Sequence, residues 1–322
     1  MTFKYPEIEK LYEHLSQVSR EAYKDQLLIC NTFLSKQDTP ERILESYLAG
    51  ENFPKTTFLF TTKKLFLYLV KNILGLIFSI ITAILHEISR QRFPIENTDD
   101  LIFLDSYFAV AQILKKGEFQ DTYFPGASEC LKKRKKNFAY IPRWFESKNP
   151  FSFFRVFRIL KNQEIPVLTQ FQILGLTDYL RAFGFIFLYP FSIFRFMRSL
   201  GAHYEDKMVY FALWSTFDGM VIECYIRFLL GQRLSSIVKG QIKCISWFEN
   251  SPLDKNFFLG LREKSKKTEI VGAQLFVRPN TLLNIVPDEH EIPFKVVPDK
   301  ILVNGAGYRF DGRPGTPRPP RA

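Results

Sequence analysis

Short apolar runs separated by polar helical stretches predict an α/β protein built on a parallel sheet. The segment Gln241–Tyr308 parses as strand (Ile242–Trp247), loop, helix (Leu253–Lys264), strand (Glu269–Phe276), long loop and strand (Lys300–Val303). Upstream, Asp100–Asp105 (DLIFLD), a helix over Ser106–Lys116 and Phe138–Pro142 (FAYIP) repeat the strand, helix, strand order. A polar helix between two short apolar strands is the pattern of a crossover unit in a parallel sheet. A third observation is the run of long aromatic helical stretches between these two blocks. The fold class is therefore α/β, a Rossmann-like parallel sheet with large aromatic-rich helical insertions.

Residues 1–98 read as a helical region. Leu11, Leu15 and Val18 mark one helical face, and Thr39-Pro40-Glu41 is a helix start with Thr39 as N-cap and Pro40 at the first helical position. After a turn at Asn52-Phe53-Pro54 comes the longest apolar segment, Leu65–Leu85, whose 21 residues suffice to cross a bilayer. Lys71 and Asn72 interrupt it, and a lysine within a span costs about 2.5–3.5 kcal/mol. Basic residues flank both sides, so the charge rule gives no orientation. A spanning helix, an interfacial or re-entrant helix and a buried core helix all remain open.

Residues 99–308 hold the predicted sheet, with a helical insertion over 150–230. The basic run Lys132–Lys136 (KKRKK) reads as a solvated loop or a contact for phosphate or anionic lipid. Asn149-Pro150 opens a helix carrying Arg155 and Arg158, and Ile165–Phe171 reads as extended chain. Leu174–Leu200 is helical with an expected break at Pro190. Its Arg181, Arg195 and Arg198 interleave with Phe185, Phe191 and other aromatics, a composition suited to the membrane interface. Asp206–Leu230 is a further helix. Residues 309–322 carry only Pro, Gly, Arg and a few small or polar side chains after Tyr308-Arg309-Phe310. They read as an unfolded linker or non-native end.

Among the 322 residues are 34 Phe, 14 Tyr and 3 Trp, more than a core of this size needs. The net charge of +11 suggests an anionic partner, either a phosphorylated substrate or an anionic membrane surface. Nucleic acid is disfavoured by the lack of zinc-finger, RNP-like or single-strand-platform motifs. The four dispersed cysteines fit a reducing compartment, and the polar amphipathic start lacks the apolar core of a signal peptide. Together these place the protein on the cytoplasmic face of the cell membrane, peripheral or monotopic.

No P-loop, GxGxxG after a strand, GxSxG or HExxH is present. With four histidines and no DxD-type motif, no metal ligand set is expected. Carboxylates at predicted strand ends are the candidates for chemistry, because ligands bind at the carboxyl ends of parallel strands. Asp105 closes DLIFLD and Glu249 follows CISWF. Each could take a proton from an acceptor hydroxyl if burial tunes its pKa. Their structural alternatives are a helix N-cap for Asp105 and a loop hydrogen bond for Glu249. Trp247, Asn250 and Gln274 are the expected substrate contacts. The acidic loop Pro279–Pro298 is read as a lid or as an exposed hairpin.

The WFEN segment (Trp247–Asn250) with its following helix, Ile270–Gln274, and Pro298–Gly305 resemble bacterial GT-B glycosyltransferases of lipopolysaccharide and capsule biosynthesis. Phe138–Trp144 and Thr177–Leu180 look similar to the upstream half of the same proteins. The resemblance implies two Rossmann-like domains facing a cleft, the first binding the acceptor and the second a nucleotide-sugar donor. The chain matches the amino-terminal, acceptor half. A carboxy-terminal donor domain expected after VNGAGY is replaced by the Pro/Arg-rich tail. The reading is therefore a glycosyltransferase, or its acceptor-binding half, acting on a lipid-linked or polysaccharide acceptor. The rival from another class is a non-catalytic, membrane-associated scaffold of a polysaccharide assembly complex.

Overall fold

The computed structural model describes His14 and residues 17–18, 20–25, 58–89, 100–147, 149–200, 209–210, 213–214, 216–264, 267–275, 287 and 289–304. The expected helix start at Thr39-Pro40 and the tail lie outside them. A five-stranded, all-parallel sheet has the order β2-β1-β3-β4-β5, formed by β1 (Leu101–Ala109), β2 (Phe138–Phe145), β3 (Ile242–Trp247), β4 (Thr268–Gln274) and β5 (Lys300–Val303). The sheet is the expected α/β architecture. The chain steps outward from β1 to β2, then returns to the other side of β1 to form β3. That reversal opens a crevice beyond the carboxyl ends of β1 and β3, where ligands bind in such sheets.

Period-two alternation divides the sheet into two faces. Leu101, Phe103, Ala139, Ile141, Ile242 and Cys244 point to one side. There they pack on α7 (Met220–Ile237) and α8 (Pro252–Lys264) through Leu230, Leu234, Phe257 and Leu261. Leu104, Phe108, Phe138 and Tyr140 point to the other, against α2 (Val110–Lys116) and α4 (Pro150–Asn162). Alpha-helices α7 and α8 cross with backbones in contact. A Cβ on Gly260 would lie 2.2 Å from the Phe228 carbonyl oxygen, so only glycine fits there.

Several element ends differ from the sequence expectation. β1 continues four residues past Asp105, so the following helix starts at Val110 rather than Ser106. Asp105 is thus inside a strand, not an N-cap. Tyr107 and Phe108 favour the strand because each buries a ring on its own side of the sheet. Extended chain over Ile165–Phe171 reduces to one bridge, Tyr140 to Val167, before α5 (Gln170–Ile173). Within the span expected as one helix from Asp206 to Leu230, a turn at 216–219 precedes α7. Between β1 and β2, α3 (Ala127–Lys133) leads into the basic run, which is solvent-exposed.

Helix α6 (Leu176–Met197) runs through Pro190 without the expected break. Proline at this position removes the N–H that would serve the carbonyl four residues earlier. The Tyr68 hydroxyl replaces it, donating to the Ile186 carbonyl at 2.9 Å. Tyr68 belongs to α1 (Phe58–Ser89), which contains the whole apolar segment 65–85. One face of α1 is buried along its length, and it carries Tyr68, Asn72, Leu76, Ser79, Thr82, His86 and Ser89. The opposite face exposes Phe66, Leu74, Ile77, Ile81, Ile84 and Ile88. Polar residues face inward and aliphatic ones outward, the reverse of a helix on a water-soluble domain. Asn72 interrupts the apolar run because it caps α7: its Oδ1 accepts from Ile222 N at 2.9 Å.

Candidate functional site

Where the apolar face of the sheet reaches the carboxyl ends of its strands, the same alternation delivers polar groups. Asp105 follows Phe103 on β1, Arg143 follows Ile141 on β2, and Ser246 follows Cys244 on β3. Asp105 and Ser246 are register partners, and all three are buried. Arg143 Nε donates to Asp105 Oδ1 at 3.0 Å, and Arg143 Nη2 also reaches Asp105 Oδ2. Arg227 of α7 donates from Nη2 to Asp105 Oδ1 at 2.7 Å, and Ser246 Oγ to Asp105 Oδ2 at 2.9 Å. Arg143 Nη2 lies 2.5 Å from Asp254 Oδ1 of α8. The Arg227 guanidinium stacks over the Phe257 ring at 4.0 Å.

Burial pushes the Asp105 pKa up, but Arg143 and Arg227 outweigh it and hold the carboxyl below its usual range. An acid so firmly ionised and so enclosed has little capacity to accept a proton. The geometry gives Asp105 the task of holding two arginines in place.

Glu249 has different surroundings. It lies two residues beyond β3, accepting from Trp247 Nε1 at 3.1 Å and from the Tyr107 hydroxyl at 3.2 Å. Its own amide donates to Asp254 Oδ2 at 3.1 Å. Asp254 takes part in a capping box with Ser251, whose amide reaches the same oxygen at 2.8 Å. The loop carrying Glu249 is therefore fixed to the start of α8. Burial raises the Glu249 pKa above the usual value, and the Asp254 charge adds to the rise. Arg143 and the two hydrogen bonds oppose it only in part. A carboxylate whose pKa is raised in this way is a stronger proton acceptor than an ordinary glutamate when ionised.

A cleft of about 950 Å³ opens beside the cluster. Tyr107, Arg143, Trp144 and Arg227 line its inner wall, and Lys71, Leu74 and Phe78 of α1 line the outer one. Glu249 stands behind Tyr107, which it contacts, rather than on the lining itself.

The other expected site residues have separate fates. Trp247 orients Glu249. Asn250, in the left-handed region with φ 53°, turns away and donates to Glu291 at 3.4 Å. Glu291 is not an exposed loop acid: it is buried against the fully buried Lys255 at 2.5 Å and accepts from the Tyr23 hydroxyl at 2.7 Å. Gln274 is buried at the end of β4. On α6, Phe191 is exposed, but Phe185 is not a surface residue. Its ring stacks on Tyr225 at 3.9 Å because the 3.6-residue period turns it inward. Arg181 and Arg198 are exposed, and Arg195 is exposed while pairing with Asp25.

Sequence reasoning passed over Tyr107, Arg143, Arg227, Ser246 and Asp254. The Ser251-x-x-Asp254 capping pattern could have found Asp254, and polar residues breaking the apolar alternation at strand ends mark Arg143 and Ser246 as positions without giving their partners; Arg227, inside a helix, carries no such signal. Among the described residues, no group of three His, Cys, Asp or Glu could hold a metal ion. No protein-family model, curated protein or solved structure matches the chain.

Proposed function

We propose that the protein is a glycosyltransferase, or the acceptor-binding half of one, working on the cytoplasmic face of the cell membrane. Glu249 carries the reading: a carboxylate with raised pKa, at the carboxyl end of a central parallel strand, held by an aromatic N–H and a tyrosine beside a large cleft. It takes the proton from the acceptor hydroxyl as that oxygen attacks the anomeric carbon of an activated sugar, while the bond from that carbon to the donor's phosphate oxygen breaks and the nucleotide leaves. A nucleotide-sugar is the expected donor. Arg143 and Asp254 position the Glu249 loop and modulate its charge.

The membrane part rests on α1 and α6, both long and apolar enough to cross a bilayer. Helix α1 packs on the protein along one whole face, so lipid cannot surround it. That favours a helix lying in the interface with its aliphatic stripe downward. Leu176, Leu180, Phe183, Phe187 and Phe191 form a matching exposed stripe on α6, and Arg195 and Arg198 follow at its end to meet anionic headgroups.

One observation favours the non-catalytic reading: the arginines of the cluster are matched by Asp105 and Asp254, as in a structural ion network. The test is sugar transfer by membranes carrying the protein, with a panel of labelled nucleotide-sugars and Glu249→Gln as control. Label transferred by the wild type and lost in the variant supports the enzyme. Equal signals from the two would remove Glu249 from the mechanism.

A further inference from the structure

The cleft has an unusual imbalance. Three residues of its inner wall carry N–H groups just beneath the surface that have no acceptor among the described residues: Arg143 Nη1, Trp144 Nε1, and Arg227 Nε and Nη1. Both arginines are only 4% exposed, so bulk water does not substitute freely. A buried donor left unpaired costs about 1–3 kcal/mol, more when charged. Every unpaired buried polar atom on the lining residues is a donor, and two of the three side chains are guanidinium cations. The complementary ligand is rich in acceptors, and arginine N–H groups pair best with planar or tetrahedral oxyanions even where Asp105 and Asp254 already balance the charge.

The opposite wall has a different character. Lys71, exposed and outside any ion pair among the described residues, stands on α1 at the cleft. One turn further, Leu74 both lines the cleft and is 59% exposed. The cleft mouth is therefore continuous with the outward aliphatic stripe of α1, through Ile77, Ile81, Ile84 and Ile88. Carboxylates also line the cleft, at Glu146, Asp218 and Glu223. Asp218 Oδ1 is engaged by the Met220 amide at 2.9 Å. No ion pair among the described residues joins these acids to Arg143, at the carboxyl end of β2, or to Arg227, on α7.

We propose that the cleft binds the phosphate head of an amphiphile, with the head on Arg143, Trp144 and Arg227 and the apolar chain leaving past Leu74 along α1. Lys71 meets the phosphate at the mouth. Use of such an amphiphile as the lipid-linked acceptor, through a hydroxyl of a sugar carried on its phosphate, rests on the function proposed above, whereas the binding itself does not. The aliphatic outward face of α1 then has an explanation: the helix divides a phosphate cavity from the bilayer that supplies the ligand.

The experiment measures binding to the purified full chain by tryptophan fluorescence and equilibrium dialysis. The probes are dodecyl phosphate below its micelle concentration, inorganic phosphate and dodecanol. Dodecyl phosphate should bind at least about 100-fold more tightly than either part alone, since head and chain each add a few kcal/mol. Lys71→Ala and Leu74→Gln, both at exposed positions, should each weaken dodecyl phosphate about 10-fold. Lys71→Ala should also weaken inorganic phosphate, and Leu74→Gln should leave it unchanged.

Equal affinity for inorganic and dodecyl phosphate would overturn the proposal in favour of a free-phosphate site. Equal affinity for dodecanol would overturn it in favour of a merely apolar surface. Binding as expected without sugar transfer from any donor would leave this inference standing and remove the transferase reading. Transfer without dodecyl phosphate binding would do the reverse.

Discussion

Replacing Asp105 by Asn tests how the strand-end cluster is held together. Asp105 is fully buried and accepts from Arg143, Arg227 and Ser246. Asparagine keeps the shape and one acceptor oxygen but removes the charge. Arg143 would retain Asp254, whereas Arg227 would lose its ion pair and keep its stacking on Phe257 and the more distant charge of Asp254. Removing one partner from a buried ion pair costs about 3–5 kcal/mol, because the remaining charge stays buried without compensation. Against a total stability of about 5–15 kcal/mol, that loss is severe.

The assay is urea unfolding of wild type, Asp105→Asn, Arg227→Met and the double variant. The double variant should cost less than the sum of the singles by about 1–3 kcal/mol, since methionine removes the orphaned cation. The acid limb gives a second reading. The folded-state pKa of Asp105 is depressed, so its stabilisation is complete above the unfolded-state pKa. It is lost as pH falls through the folded value. Asp105→Asn should flatten that part of the stability profile. A loss under about 1 kcal/mol, with additive singles, would refute the account of a carboxylate neutralising two arginines.

Other expectations follow from single contacts. Tyr68→Phe should cost about 1–2 kcal/mol in the wild type but little in a Pro190→Ala background, where the restored amide can serve the Ile186 carbonyl. Calorimetry of the four proteins reads the difference. Gly260→Ala should lower stability by about 3 kcal/mol or more, because its Cβ would sit 2.2 Å from a backbone oxygen that cannot rotate away. Phe191→Asp, at a residue 73% exposed, should leave the melting temperature nearly unchanged and weaken co-sedimentation with anionic vesicles about 10-fold or more. Because Glu249 must be ionised to accept a proton, kcat/KM should rise with pH through a pKa above the ordinary glutamate range, and Glu249→Gln should abolish that limb.

Much of the sheet was legible because its strands alternate cleanly or run apolar between polar helices. Ile242–Trp247 and Lys300–Val303 have the bounds that the pattern gives, and Pro252 is the only addition at the start of the helix between β3 and β4. Boundaries failed where tertiary contacts override local signals. Asp105 looks like a terminus, yet the strand continues because Arg143 and Arg227 satisfy the charge. Pro190 looks like a break, yet a tyrosine from a helix more than a hundred residues away takes over the missing hydrogen bond.

The candidate site was half legible. Glu249 and Trp247 were visible as a carboxylate and an aromatic at a strand end. Arg143 and Arg227 were not, because their roles depend on which strands become neighbours, a property no local window carries. The strand order places β2 and β3 on either side of β1 and so brings all three polar ends together. Asn250 and Phe185 were misjudged for a related reason. A left-handed backbone at Asn250 and the helical phase at Phe185 turn each side chain away from its expected partner.

The most direct test of the central claim is transfer of labelled sugar to an organic-extractable or polymeric product. Membranes bearing the full-length protein would be supplied with UDP-, GDP-, dTDP- and CMP-sugars in turn. At least one donor should give product that depends on Glu249, with Glu249→Gln reducing turnover by about 100-fold or more while membrane association is unchanged. No product from any donor, or product that persists in the Glu249→Gln protein, would contradict a catalytic role for this strand-end carboxylate.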